Sequence, residues 1–142
     1  ESPLFDLTAL PLEGGPAVSL ATRAGMFAYP LASPVQTGKS GENAYQVAYL
    51  QANNPNQSES SRYTVMVIDR DGSNRRRLFP PEGSTGLEPQ NQWGVWSPEP
   101  LKESAGWALA LIYQGNLWIV DVTHGEAWQI TGDNLLSKVD WR

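Results

Sequence analysis

Three stretches of this chain align without a gap. Residues 7–20 read LTALPLEGGPAVSL, residues 65–78 read VMVIDRDGSNRRRL, and residues 117–130 read LWIVDVTHGEAWQI. Each opens on a hydrophobic run, passes through a turn carrying acidic residues and glycine, and closes on leucine or isoleucine. Gly14, Gly15, Gly72 and Gly125 supply the positive φ that a tight hairpin needs. Each stretch is therefore expected to be a β-hairpin, and recurrence at offsets of 58 and 52 residues marks a tandem array.

Further parts recur more loosely. VWSP at 95–98 has an echo in LASP at 31–34 and a truncated one in VDWR at 139–142. After each Ser-Pro come a polar turn and an alternating strand, AYQVAYL at 44–50 and WALALIY at 107–113. The unit is then four strands, and four-stranded antiparallel units repeating every ~40–50 residues are the blades of β-propellers. The 13 glycines, 11 prolines and 6 tryptophans suit short strands joined by many turns. The expected fold is all-β, a β-propeller fragment of about three blades in a single domain. Residues 1–22 would give the last two strands of a blade, 23–80 and 81–132 two full blades, and 133–142 the first strand of the next.

The segments NQWGVWSPE, NLWIVDV, VMVIDRDGSNRRRL and WQITGDN resemble the repeats of TolB-type (WD-repeat-like) β-propellers. That family runs Trp-Ser-Pro-Asp-Gly, an alternating strand, a strand ending in Asp, Asp-Gly, then a basic residue before Leu-Thr. The resemblance spans nearly the whole chain. It departs at Glu99-Pro100, where Asp-Gly is usual, in the expanded stretch 35–43, and at Pro11, where the other copies have Asp69 and Asp121. It implies a bacterial, extracytoplasmic (periplasmic or cell-surface) setting.

Against that frame, Arg75, Arg76 and Arg77 fall on the outermost strand of a blade, with Arg75 and Arg77 on one face and Arg76 opposite. Charge on an edge strand discourages edge-to-edge pairing. The net charge of −5 also argues against a nucleic-acid surface. No cysteine is present, which removes disulfides, thiolate metal sites and cysteine nucleophiles. No apolar run approaches the ~20 residues that span a bilayer, so no direct membrane insertion is expected. The opening ESPLFDL carries neither an initiator methionine nor a signal-peptide pattern, and an excised piece of a longer propeller is the expected origin.

Catalytic and metal constellations are sparse. His124 is the only histidine and stands in a turn. No Gly-x-Ser-x-Gly elbow occurs. GKSGE at 38–42 holds the Gly-Lys-Ser of a phosphate loop, but Ser33 stands where the first glycine is required. DRDGSN at 69–74 groups oxygen donors in a hairpin turn and lacks the longer ligand series of a calcium loop. Asn56-Gln57-Ser58 is a glycosylation sequon in the polar loop 51–62, which reads as mobile.

These readings lead to a non-catalytic β-propeller scaffold for protein–protein or ligand binding, with no cofactor and no metal. The loops at 35–43, 81–92 and 99–106 are the expected binding face, with Trp93, Trp107, Lys102 and Glu103 as candidate contact residues and a protein or peptide as partner. Two alternatives stand beside it: an accessory, substrate-screening propeller of a prolyl-oligopeptidase-like serine peptidase, and a sensor domain of a membrane receptor or kinase. An arc of three blades leaves two open flanks, which a homodimer could close as a six-bladed ring.

Overall fold

The structure is a computed structural model that describes residues 4–37 and 43–142. Among these residues the regular structure is antiparallel β-sheet and one 3₁₀ turn, Pro55–Gln57, with no α-helix and no closed barrel. Strands β1 (Leu7–Ala9) and β2 (Val18–Ala21) form a two-stranded sheet. Strand β3 (Leu31–Ala32) is followed by a small hairpin, β4 (Gln36–Thr37) and β5 (Asn43–Ala44), inside the expanded stretch. Strands β6 (Gln46–Ala52), β7 (Tyr63–Asp69) and β8 (Arg76–Phe79) complete a four-stranded sheet in the order β3-β6-β7-β8. A second four-stranded sheet, β9-β10-β11-β12, is built from Gly94–Trp96, Ala108–Tyr113, Asn116–Asp121 and Glu126–Gln129. The phosphate-loop-like GKSGE at 38–42 lies outside the described residues.

The three aligned segments are hairpins built from β1–β2, β7–β8 and β11–β12. Hydrogen bonds outside the ladders repeat as well. Phe5, Tyr63 and Gly115 stand at one position, just ahead of each segment. Their carbonyls accept from Ala24 N at 2.9 Å, Leu87 N at 2.7 Å and Leu136 N at 2.8 Å. Both Ser-Pro pairs do the same work. Ser33 Oγ accepts from Gln46 N at 2.9 Å and Ser97 Oγ from Ala108 N at 3.1 Å, each satisfying the first amide of the next long strand. The recurrence read in the sequence therefore extends to side-chain caps.

Period-two alternation decides the packing. Along β6 and β7, Ala48, Leu50, Val65 and Val67 face one way, and Val47, Tyr49, Met66 and Ile68 the other. The first face packs on Leu109, Leu111, Trp118 and Val120 of the second four-stranded sheet. The opposite face packs on Leu7, Ala9, Val18 and Leu20 of the two-stranded sheet. The middle sheet is thus covered on both faces, and its strands read as near-continuous apolar runs. Trp93 Nε1, just before β9, donates to Tyr29 O at 2.9 Å and Trp96 Nε1, at its end, to Leu31 O at 2.8 Å, stitching β9 to the start of β3.

Two expectations are corrected here. Residues 133–142 form no strand; they return over the β10–β11 turn, held by the bond from Leu136 N to Gly115 O. A first strand needs a neighbour to complete its ladder, and the described residues offer none. The three loops expected to share one binding face also divide. Each antiparallel strand reverses direction, so the loop after β9 (97–107), the described flanks of the loop after β3 and the β11–β12 turn lie at one end of the sheets. The loop before β9 (80–93), the β6–β7 turn (53–62) and the β10–β11 turn lie at the other. Residues 81–92 are therefore separated from 99–106.

Candidate binding groove

The end carrying the 53–62 turn is hollowed. A groove of about 460 Å³ is lined by Arg62, Thr85, Glu88, Gln90, Gln114 and Ser137, among others. A second hollow of about 480 Å³ shares Arg62, Thr85 and Gly86 with it and adds Asn53, Asn54 and Gln57. Together they form one furrow across the ends of both four-stranded sheets.

Each wall is fixed from below. Tyr63 is fully buried at the start of β7, and its hydroxyl donates to Ser58 O at 2.8 Å while accepting from Phe27 N at 3.3 Å. Asn53 N donates to Arg62 O at 2.9 Å, and Asn54 N to Ser61 Oγ at 2.9 Å. The polar loop expected to be mobile is thus closed by its own hydrogen bonds. Within its sequon Asn56 is exposed and Ser58 is buried. Tyr113 Oη donates to Thr85 O at 2.6 Å, which ties the loop before β9 to the end of β10.

The far wall depends on one buried amide. Asn116 Nδ2 donates to Asn134 Oδ1 at 2.6 Å, and its Oδ1 accepts from Asn134 N at 3.0 Å and Thr131 Oγ1 at 3.3 Å. Gly115 has φ +74, and a Cβ there would collide with the Asn134 carbonyl, so the 131–137 segment requires glycine at that point.

The furrow's lining is mixed, with apolar Ile112 and Leu136, charged Arg62 and Glu88, and a larger set of neutral polar groups. Its one ion pair, Arg62 Nη1 to Glu88 Oε1 at 2.8 Å, is solvent-exposed on both sides and contributes at most about 1 kcal/mol. Amides and hydroxyls from Asn53, Asn54, Gln57, Thr85, Gln90, Gln114 and Ser137 supply both donors and acceptors. That set can offer hydrogen bonds of both senses to a group placed in the furrow.

The residues singled out in the sequence are distributed differently. Trp93 is fully buried and presents no surface to a partner. It sits at the furrow end, with its indole committed to Tyr29 O. Trp107 is half-buried and lies at the opposite end with exposed Lys102 and Glu103. These last three are brought together by a turn in which Ala105 N donates to Leu101 O and Leu101 N to Gly106 O, both at 2.8 Å.

Beside them lies His124. Asp121 is fully buried; its Oδ1 accepts from His124 N at 2.9 Å and its Oδ2 lies 2.9 Å from His124 Nδ1. Burial alone would push the Asp121 carboxyl up. The hydrogen bonds from the His124 ring, the Ser104 hydroxyl and the His124 amide outweigh it and hold the carboxyl below its ordinary range. Ser104 bonds to the carboxylate and not to the imidazole, so this Asp-His-Ser grouping lacks the nucleophile-to-base contact of a hydrolase triad. A Cβ on Gly106 would collide with the Asp121 carboxylate, which marks the grouping as a packed clasp on the 99–106 turn.

Thr85, Glu88 and Gln90 fall within the expected binding loop 81–92, whereas Asn53, Gln114 and Ser137 were missed because polar loop residues carry no periodicity. Strand parity is the signal that finds them: counting reversals places 53–62, 80–93 and 114–115 at one end. Comparison with protein-family models, with curated proteins and with solved structures finds no match.

Proposed function

We propose that this chain is a non-catalytic scaffold of stacked β-sheets, of the propeller type, that holds a protein or peptide partner along the furrow between Asn53 and Ser137. The observation that carries the reading is the furrow itself. It gathers many neutral donors and acceptors, with one exposed ion pair and the apolar Ile112 and Leu136, on loops braced by buried Tyr63, Tyr113 and Asn116. Function on loops held by a rigid scaffold is the usual division of labour in such folds. The propeller assignment is supported by the repeated four-stranded order, the repeated Ser-Pro caps and the face-to-face stacking.

The test is selection of a random linear-peptide library on the purified chain. Enriched peptides are expected to lose binding on Ser137→Trp, which fills the furrow, and to keep it on Lys102→Ala at the opposite end. Absence of any enriched binder, or binding abolished by Lys102→Ala and indifferent to Ser137→Trp, overturns the reading.

A further inference from the structure

Strand β8 is the free edge of the middle sheet. Both faces of that sheet are covered, by β1–β2 on one side and by β9–β12 on the other, and no described strand pairs with the outer side of β8. An edge strand presents unpaired N–H and C=O groups to a further strand. The arginine run loads this edge with positive charge. The register sets Arg77 across from Met66, and Arg75 reaches Tyr49 Oη, so both lie on the face that meets β1–β2. Each guanidinium is held in place, and neither is neutralised. Arg75 Nε donates to Tyr49 Oη at 2.8 Å and its Nη2 to Gln51 Oε1 at 3.3 Å. Arg77 Nε donates to Pro80 O at 3.0 Å and its Nη2 to Pro81 O at 3.4 Å. Every one of these acceptors is uncharged. The ion pairs among the described residues are Arg62–Glu88, His124–Asp121 and Arg142–Asp140, and none includes the run, although the chain has 15 acidic residues against 10 lysines and arginines. Both residues are exposed, and a guanidinium carries five N–H donors, so each keeps free donors in a set orientation.

We propose that an extended acidic segment of a partner protein adds as a strand to the β8 edge, with carboxylates two residues apart on Arg75 and Arg77. Main-chain hydrogen bonds to the edge hold the segment, and its alternate side chains supply the specificity. Residues i and i+2 of a strand share a face and stand about 6.5 Å apart, so the matching pattern is one acidic residue, any residue, and a second acidic residue. The same charges repel a second β8, which favours an acidic partner over another copy of this edge. A nucleic acid is disfavoured by position. Exposed Asp71 and Glu82 stand on either side of the run in sequence, and both repel a phosphate backbone running past it. This edge is distinct from the furrow, and the proposal does not rest on the function given to the furrow.

Fluorescence anisotropy of labelled peptides with the full chain tests it. The probe is the peptide Thr-Val-Glu-Val-Glu-Val-Thr, and the control replaces both of its glutamates by glutamine. The Glu peptide is expected to bind below about 1 mM, at least ~10-fold more tightly than the Gln peptide, and to weaken as salt rises. This comparison uses the unsubstituted chain and so does not depend on the folding of any variant. Arg75→Gln and Arg77→Gln, with circular dichroism unchanged, should each weaken the Glu peptide at least ~3-fold. Arg142→Gln removes a positive charge elsewhere and should change it less than ~2-fold. N-methylating the peptide either at its glutamates or at its valines separates strand addition from charge attraction alone: one pattern should lose binding and the other keep it. A Glu peptide that does not bind, Glu and Gln peptides that bind alike, Arg75 and Arg77 variants that bind like the wild type, or methylation patterns that act alike each overturn the proposal. Tighter binding of an oligothymidylate or of phosphatidylserine vesicles than of the Glu peptide also overturns it, and assigns the charge to a phosphate surface.

Discussion

Replacing Trp93 by alanine is expected to lower the unfolding free energy by about 3–5 kcal/mol, the range for removing a fully buried large aromatic. The indole is wholly enclosed at the head of β9, and its Nε1 donates across the sheet boundary to Tyr29 O at 2.9 Å. The substitution therefore removes a large apolar contact and leaves the half-buried Tyr29 carbonyl without its donor. Both losses fall on the seam between the two four-stranded sheets. Urea unfolding followed by circular dichroism reads the loss as a lower midpoint. Trp93→Phe refills most of the volume but not the hydrogen bond, so it should recover the greater part of the stability. A Trp93→Ala chain as stable as the wild type would mean that the two sheets do not depend on each other.

The second large effect concerns Asp121. Its carboxylate takes hydrogen bonds from the His124 ring, the Ser104 hydroxyl and the His124 amide while fully buried. Asp121→Ala strands those donors, and a loss of about 2–4 kcal/mol is expected. The pH dependence has a definite sign. The folded carboxyl is held below its unfolded value, so its contribution is present above an unfolded pKa of about 4 and is lost as pH falls below that value. Asp71, bonded by Ser73, and Asp140, bonded by Arg142, are likewise held low. The informative quantity is therefore the difference between wild type and Asp121→Asn. That difference should shrink as pH falls from 5 toward the lowest accessible values. A difference that grows on acidification would contradict the assignment of the clasp.

Much of the architecture was legible because it is written in alternation. AYQVAYL and WALALIY announced β6 and β10, and the aligned hairpin segments announced β1–β2, β7–β8 and β11–β12. Glycine at the turns served the same end: Gly72 and Gly125 both adopt positive φ. The arginine run also followed alternation. Arg75 donates to Tyr49 Oη on one face, whereas Arg76 pairs opposite Val67, whose side chain is on the other face. What alternation could not supply was the end of the sheet to which each loop belongs. The stretches 81–92 and 99–106 have similar composition, and only the count of strand reversals separates them.

Tryptophan was the other residue type that sequence alone did not resolve. Trp93 and Trp107 both open strands, yet one is fully enclosed and the other half-open. Their difference comes from what lies across the seam. At Trp93 the Tyr29 carbonyl and the core of the middle sheet close over the ring, whereas Trp107 sits beside the exposed 99–106 turn. Position along a strand predicts direction, but cover is supplied by a neighbouring sheet that local sequence does not name. The same limit applies to residues 133–142, whose pattern resembles a first strand although no strand among the described residues pairs with it.

The sheets are stacked face to face and stitched at the seam by two indoles. The measurement that addresses it most directly is hydrogen exchange of the tryptophan indole N–H groups by nuclear magnetic resonance. Trp93 and Trp96, bonded to Tyr29 O and Leu31 O, should exchange only on global unfolding, while the exposed Trp128 should exchange rapidly. In a Trp93→Phe chain the Trp96 indole, and in a Trp96→Phe chain the Trp93 indole, should stay protected. Exchange of Trp93 and Trp96 as fast as that of Trp128 in the native protein would contradict the stacked arrangement.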